Sequence, residues 1–262
     1  MSDYVIGDIH GCYDELQAMI EKIGLSNDDR LFMVGDYIDR GDQNVEMLQW
    51  LEDHPDNILP VKGNHDANFA YYVSLMKQIS VNNDLNIRSD FYVDALKLYL
   101  ITRETLASVD SLAAKYFDMY GTIQRILTED KVTLSDLERW ASMLDSLPLY
   151  REVEVGVKRC IVVHAGFRED LADDEERERF FLESRKPAYT QGGIPNGIVI
   201  AGHTPTFIEG EFTYNGGDVF RYYDATKNCV FYDIDCGCVF RKEIPKAKLA
   251  CIRLEDEKVI YL

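Results

Sequence analysis

Five times along this chain an apolar run leads into an aspartate, asparagine or histidine with a glycine at or close to it. Val5–Ile6 leads into Gly7, Asp8, Ile9, His10 and Gly11, and Leu31–Val34 into GDYIDRG, Gly35–Gly41. Ile58–Val61 leads into KGNHD, which holds Asn64, His65 and Asp66. Cys160–Val163 leads into HAG, His164–Gly166, and Ile198–Ala201 into GHTP, Gly202–Pro205. A short apolar run bounded by glycine reads as a buried strand, and in open α/β sheets such strand ends converge on one crevice. The glycines relieve crowding and open backbone conformations closed to other residues. Four of the five histidines fall in these motifs; His54, in EDHPD, reads as a surface residue at a helix end.

The first 65 residues alternate strand and helix. Tyr4–Gly7, Arg30–Val34 and Ile58–Val61 read as strands. Leu16, Met19, Ile20 and Ile23 form one amphipathic stripe, closed by Gly24, and Val45, Leu48 and Leu51 mark a second. This is the pattern of parallel βαβ units. Residues 67–147 change style, with helical stripes at Ala95, Leu98, Thr102 and Leu106 and at Leu134, Leu137, Ala141 and Leu144. They read as a helical insertion, a cap, within a single α/β domain spanning 1–262. Strands resume at Arg151–Val155, Cys160–Val163, Ile198–Ala201, Val230–Asp233, Leu249–Leu254 and Val259–Leu262.

The donors at the strand ends, Asp8, His10, Asp36, Asn64, His164 and His203, mix carboxylate, imidazole and amide oxygen without thiolate. That mix suits manganese, iron or zinc better than calcium. Six donors are too many for one catalytic ion that must keep open positions, so two divalent ions bridged by one aspartate is the economical assignment. The net charge of −18 repels nucleic acid and anionic membranes. An anionic substrate therefore needs local positive charge at its site. No apolar run reaches the roughly 18 residues of a membrane helix, and MSDYVIGD has no signal-peptide character. Six scattered cysteines without CxxC indicate a reduced, cytoplasmic protein, with Cys236 and Cys238 as packed thiols on one strand face.

The series GDIHG, GDYIDRG, GNHD, HAG and GHTP resembles the signature of the calcineurin-like metallophosphoesterases, in their phosphoprotein phosphatase branch. It is similar both to lambda-phosphatase-like serine/threonine phosphatases and to symmetrical diadenosine tetraphosphatases. The motifs span Gly7–Pro205, and the tail from Asp233 resembles the closing strands of the same group. The resemblance implies a four-layer sandwich of two mixed β-sheets flanked by helices. It places the first ion on Asp8, His10 and Asp36 and the second on Asp36, Asn64, His164 and His203, with manganese the expected metal. It implies in-line attack of hydroxide on phosphorus, His65 as general acid oriented by Asp39, and Arg40 gripping the phosphate. A second phosphate-binding arginine is expected after HAG: Arg185, with Arg168 as its rival. GDIHGCYDEL and the Asp66 of GNHD resemble the tetraphosphatases, whereas the intact DRG and GHTP resemble the lambda-type enzymes. The expected substrate is a phosphoserine or phosphothreonine protein; the alternative is a dinucleoside tetraphosphate or similar small phosphoester. Tyr71, Tyr72, Phe91 and Tyr92 in the insertion are either core or a stacking surface for a base.

Overall fold

A computed structural model describes residues 1–82, 119, 121–123, 125–127, 132–213 and 215–262. They fall into two units, Met1–Asn64 with Leu147–Leu262, and His65–Ser146.

The first unit opens as expected. β1 (Asp3–Ile6), α1 (Tyr13–Ile23), β2 (Arg30–Met33), α2 (Asn44–Glu52) and β3 (Ile58–Pro60) follow in order. β1 pairs in parallel with β2, and β2 with β3, as two crossover helices require. α1 stops at Gly24, whose left-handed backbone lets its amide return to the Glu21 and Ile20 carbonyls. Two late strands, β9 (Ala250–Arg253) and β10 (Lys258–Tyr261), complete this sheet in the order β10-β9-β1-β2-β3. The second sheet holds β4 (Tyr150–Val155), β5 (Lys158–Val163), β6 (Gly197–Ala201), β7 (Phe220–Asp224) and β8 (Cys229–Asp233), in the order β4-β5-β6-β8-β7. β5, β6 and β8 are parallel, with β4 and β7 antiparallel on the edges. Two mixed five-stranded sheets flanked by helices make an α/β sandwich.

Alternation along the strands builds two cores. Val5, Phe32, Val34, Cys160, Val162, Ile198, Ile200 and Ile252 fill the space between the sheets. Ile161, Val163, Val199 and Ala201 point the other way, against Phe181 of α5 (Asp174–Glu183) and Ala188 of α6 (Lys186–Thr190). Strands buried on both faces read as unbroken apolar runs, which is why the sequence exposes them. The parallel strands of each sheet end on one side, and the five motifs sit there.

Cys236 and Cys238 are not on a strand: β8 ends at Asp233, Cys236 packs between the sheets, and Cys238 opens a 3-10 turn reaching Phe240. All six thiols are free.

The second unit contains α3 (Asn64–Asn82) from its second residue, His65, onward, and α4 (Leu134–Asp145). α4 starts in a capping box: the Asp136 amide donates to Thr133 Oγ1 at 3.2 Å and the Thr133 amide to Asp136 Oδ2 at 2.8 Å. Leu137, Ala141 and Leu144 of the expected stripe are buried, joined by Trp140. Tyr72 is core and Tyr71 is exposed. The stripe at Ala95–Leu106 and the rings of Phe91 and Tyr92 lie outside the described residues. No helix among the described residues is long and apolar enough to cross a membrane.

Candidate metal centre

The loops after β1 and β2 are laced together by main-chain hydrogen bonds. The Ile9 and His10 amides both donate to the Asp36 carbonyl, at 3.2 and 2.8 Å, and the Gly11 amide donates to Tyr37 O at 2.8 Å. The Gly41 amide returns to His10 O at 3.0 Å. This lacing holds strained backbone. His10, Asp36, Asp39, Arg40 and His203 all adopt left-handed φ, between 48° and 79°. Each such non-glycine residue costs on the order of 1–3 kcal/mol and persists only where its surroundings over-determine it. Buried Asn44 is one such restraint: its Oδ1 accepts the Asp39 amide and its Nδ2 donates to Gly41 O, both at 2.8 Å. Tyr37 is another, its hydroxyl donating to Val61 O at 2.6 Å and so tying the second motif to the third. Gly202 is required by close approach, because a Cβ there would overlap Asp8 Oδ1.

The six expected donors come together. One oxygen of Asp36, Oδ2, lies 3.5 Å from His10 Nε2 and 3.4 Å from His164 Nε2. It stands between nitrogens delivered by different sheets, where a bridging carboxylate would. His10 Nδ1 faces the Ile38 carbonyl at 2.9 Å, and His164 Nδ1 faces Val34 O at 2.9 Å. A carbonyl only accepts, so each Nδ1 carries the proton and each Nε2 turns a lone pair inward. Asn64 Oδ1 lies 2.9 Å from His164 Nε2 and 3.0 Å from His203 Nδ1. Nitrogens of His164 and His203 and an oxygen of Asp36 all fall within 4.8 Å of one another, spacing that suits one ion. Asp8 is fixed by the His203 amide, which donates to both its oxygens at 3.3 and 3.1 Å.

The charges in this cluster ask for cations. Asp8, Asp36, Asp233 and Asp235 are all buried. Burial raises the Asp8 carboxyl well above its ordinary range, and repulsion from Asp235, Asp36 and Asp233 raises it further. Burial, then Asp235, likewise raises Asp233. Burial pushes Asp235 up to about 6, against the pull of the Gly237 amide and of Arg40. Arg40 Nη1 sits 3.0 Å from His10 Nε2, so a positive group already lies against the lone pair assigned to the first ion. Inward-facing lone pairs and crowded buried carboxylates fit divalent cations.

Asp233 and Asp235 are the site residues that reading the sequence missed. Asp233 ends β8 and Asp235 lies two residues beyond it in FYDIDCG, an apolar strand end like the others but without histidine or asparagine. Arg185 is exposed, immediately before α6 and without a side-chain bond to it, and its charge is felt by both Asp233 and Asp235. Arg168 is engaged elsewhere: its Nε and Nη2 hold Asp170 at 2.9 and 2.7 Å, and its guanidinium lies over Phe180. Asp39 is buried in the β2–α2 loop. His65 follows Asn64 in the first turn of α3 and belongs to the second unit.

This fold and donor set define a class, the metallophosphoesterases. The chain belongs to the calcineurin-like phosphoesterase family, whose model matches residues 4–207. Within that family it is 40% identical, over 114 residues, to the symmetrical bis(5'-nucleosyl)-tetraphosphatase of Buchnera aphidicola, a match covering 42% of this chain and 40% of that protein. It is 28% identical over 145 residues to the protein of the same name from Shewanella loihica, covering 53% of each. The chain thus spans about half or less of the length of the curated relatives it matches. Among solved structures it resembles a candidate diadenosine tetraphosphatase, with a TM-score of 0.56 at 15% identity, covering 100% of this chain and 92% of the other. It also resembles the metallophosphoesterase of Sphaerobacter thermophilus, with a TM-score of 0.50 at 18% identity, covering 100% and 86%. At such identities these two likenesses speak for the fold alone. The expectation of a phosphoprotein substrate finds no support among these relatives; the alternative, a dinucleoside tetraphosphate, does.

Proposed function

We propose that the chain is a metal-dependent hydrolase of dinucleoside polyphosphates, cleaving a symmetrical tetraphosphate into two nucleoside diphosphates. The observation that carries this reading is the match of stretches of this chain, 114 and 145 residues long, to relatives named for that activity. The −18 surface is compatible with it, since a small anion needs only a local positive centre.

Asp8, His10 and Asp36 would hold one divalent ion and Asp36, Asn64, His164 and His203 a second, with manganese the proposed metal. When bound, such ions lower the pKa of a water and polarise phosphoryl oxygens. The chain's own residues do the rest. Ile38 and Val34 carbonyls fix the tautomers of His10 and His164. Arg40 offers a planar fork to two phosphoryl oxygens, and Arg185 offers a second. His65 delivers a proton to the departing oxygen, and Asp39 is the residue proposed to orient it. Six free thiols fit a reducing compartment, and we propose a cytoplasmic enzyme.

The test is product analysis with manganese and diadenosine tetraphosphate, beside a phosphoserine peptide. Adenosine diphosphate as the sole nucleotide product, with kcat/KM about 100-fold above that on the peptide, is expected; that margin is roughly 2.7 kcal/mol of transition-state discrimination. Equal amounts of mono- and triphosphate, or a preference for the peptide, would overturn the reading.

A further inference from the structure

We propose that the cavity beside Arg40 is a nucleoside site that receives one end of the dinucleotide, with the Arg241 guanidinium as the platform on which the base stacks. The inference rests on the tetraphosphatase reading above and adds the place and chemistry of recognition.

The cavity, of about 410 Å³, lies between the loops after β1 and β2 and the turn after β8, all within the first unit. Its size falls in the ~300–1,000 Å³ range of small-molecule sites. Arg40 lines it and also reaches His10 Nε2, so a single side chain borders both the candidate metal centre and the cavity. A ligand gripped by Arg40 through a phosphate would therefore place the group it carries in this cavity.

The lining decides what that group is. Two cations of the lining are matched: Arg241 is ion-paired with Glu15, and Lys242 Nζ lies 3.4 Å from Asp42 Oδ2. Asp14 and Glu243 add two more carboxylates. Such a wall repels a run of phosphates. It suits a neutral group rich in donors, because ribose hydroxyls and an exocyclic amine can donate to carboxylate oxygens. Arg241 supplies the complement for a base. Glu15 anchors its guanidinium from one side and Cys238 Sγ lies 3.9 Å from its Nη1. A planar cation held in place stacks on a π-face at little cost in ordering.

The test is titration calorimetry on the full chain loaded with manganese, comparing adenosine 5'-monophosphate with inorganic phosphate. Adenosine monophosphate should bind at least ~10-fold tighter, about 1.4 kcal/mol for the nucleoside. In Arg241→Ala that ratio should fall toward one. Glu15→Gln, which keeps the arginine and loosens its anchor, should give an intermediate ratio and serves alone if Arg241→Ala does not fold. A wild-type ratio near one, or a ratio the variants leave unmoved, overturns the proposal. If the ratio behaves as expected but diadenosine tetraphosphate is not hydrolysed, only the substrate reading falls.

Discussion

Asp36 offers a single oxygen to imidazoles from two sheets, and its backbone is held left-handed to do so. Its amide equivalent cannot bridge two cations with the same charge, so Asp36→Asn should lose both metal equivalents together. Metal content after gel filtration checks this; retention of one equivalent would show that the two sites do not share the residue. A second residue-scale consequence concerns His65. The departing group from a tetraphosphate is a nucleoside diphosphate, whose terminal phosphate has a pKa near 6 and needs little protonation. An alkyl phosphate leaves as alkoxide and needs the proton fully. His65→Asn should therefore cost ~10²–10⁴ in kcat on an alkyl phosphate and under ~10-fold on diadenosine tetraphosphate. Equal losses on the two substrates would remove His65 from the proton-donor role. The six proposed donors stood out in the sequence because each lies in a short motif that follows an apolar run and contains a glycine. Asp233 and Asp235 were not, since carboxylates that tune a site by charge alone carry no such mark.

Among the elements, strands buried on both faces announce themselves and edge elements do not. β5 and β6 read directly as apolar runs. β7, FRYYD, buries only Phe220, and α5, DEERERFFLE, buries only Phe181 and Leu182 at its end, so neither shows a period. The β2–α2 loop was legible as a motif, yet its geometry was not. Three of its non-glycine residues, Asp36, Asp39 and Arg40, have positive φ, which no spacing rule foretells. Asn44 compensates them from the first turn of α2 with two buried hydrogen bonds. Asn44→Ala leaves the Asp39 amide and the Gly41 carbonyl without that partner. It should cost about 1–3 kcal/mol in urea unfolding and should lower kcat more than it raises KM. A stability loss with kinetics intact would mean the loop keeps its shape unaided. By contrast, Ile200→Ala, between the sheets, should cost ~2–5 kcal/mol with kinetics little changed, since it removes only packing.

At the scale of the molecule, the negative charge is concentrated inside as well as outside, and this couples metal, proton and fold. Asp8, Asp233 and Asp235 all have carboxyl groups raised by burial first and then by neighbouring carboxylates, Asp235 to about 6. The unfolded chain releases these protons near pH 3.9. Between those values the metal-free folded chain binds more protons than the unfolded one, so its stability falls as pH rises through about 6. Asp235 alone gives on the order of 1 kcal/mol between pH 5 and 7, and the other two act in the same direction. Asp29, held at about 2 mainly by the Ser26 hydroxyl, and Asp256, held at about 2 by Arg253, have the opposite sign. Their contribution is complete above about pH 4 and is lost only as pH falls toward 2, outside the window. Chelated protein should therefore melt several degrees higher at pH 5 than at pH 7. Manganese should reverse the order, because ions bind the deprotonated ligands and replace repulsion with attraction. Calorimetric scans with chelator and with manganese at both pH values read this directly. A metal-free Tm that rises from pH 5 to 7, or a manganese gain that shrinks over the same interval, would mean that the buried carboxylates are not waiting for cations.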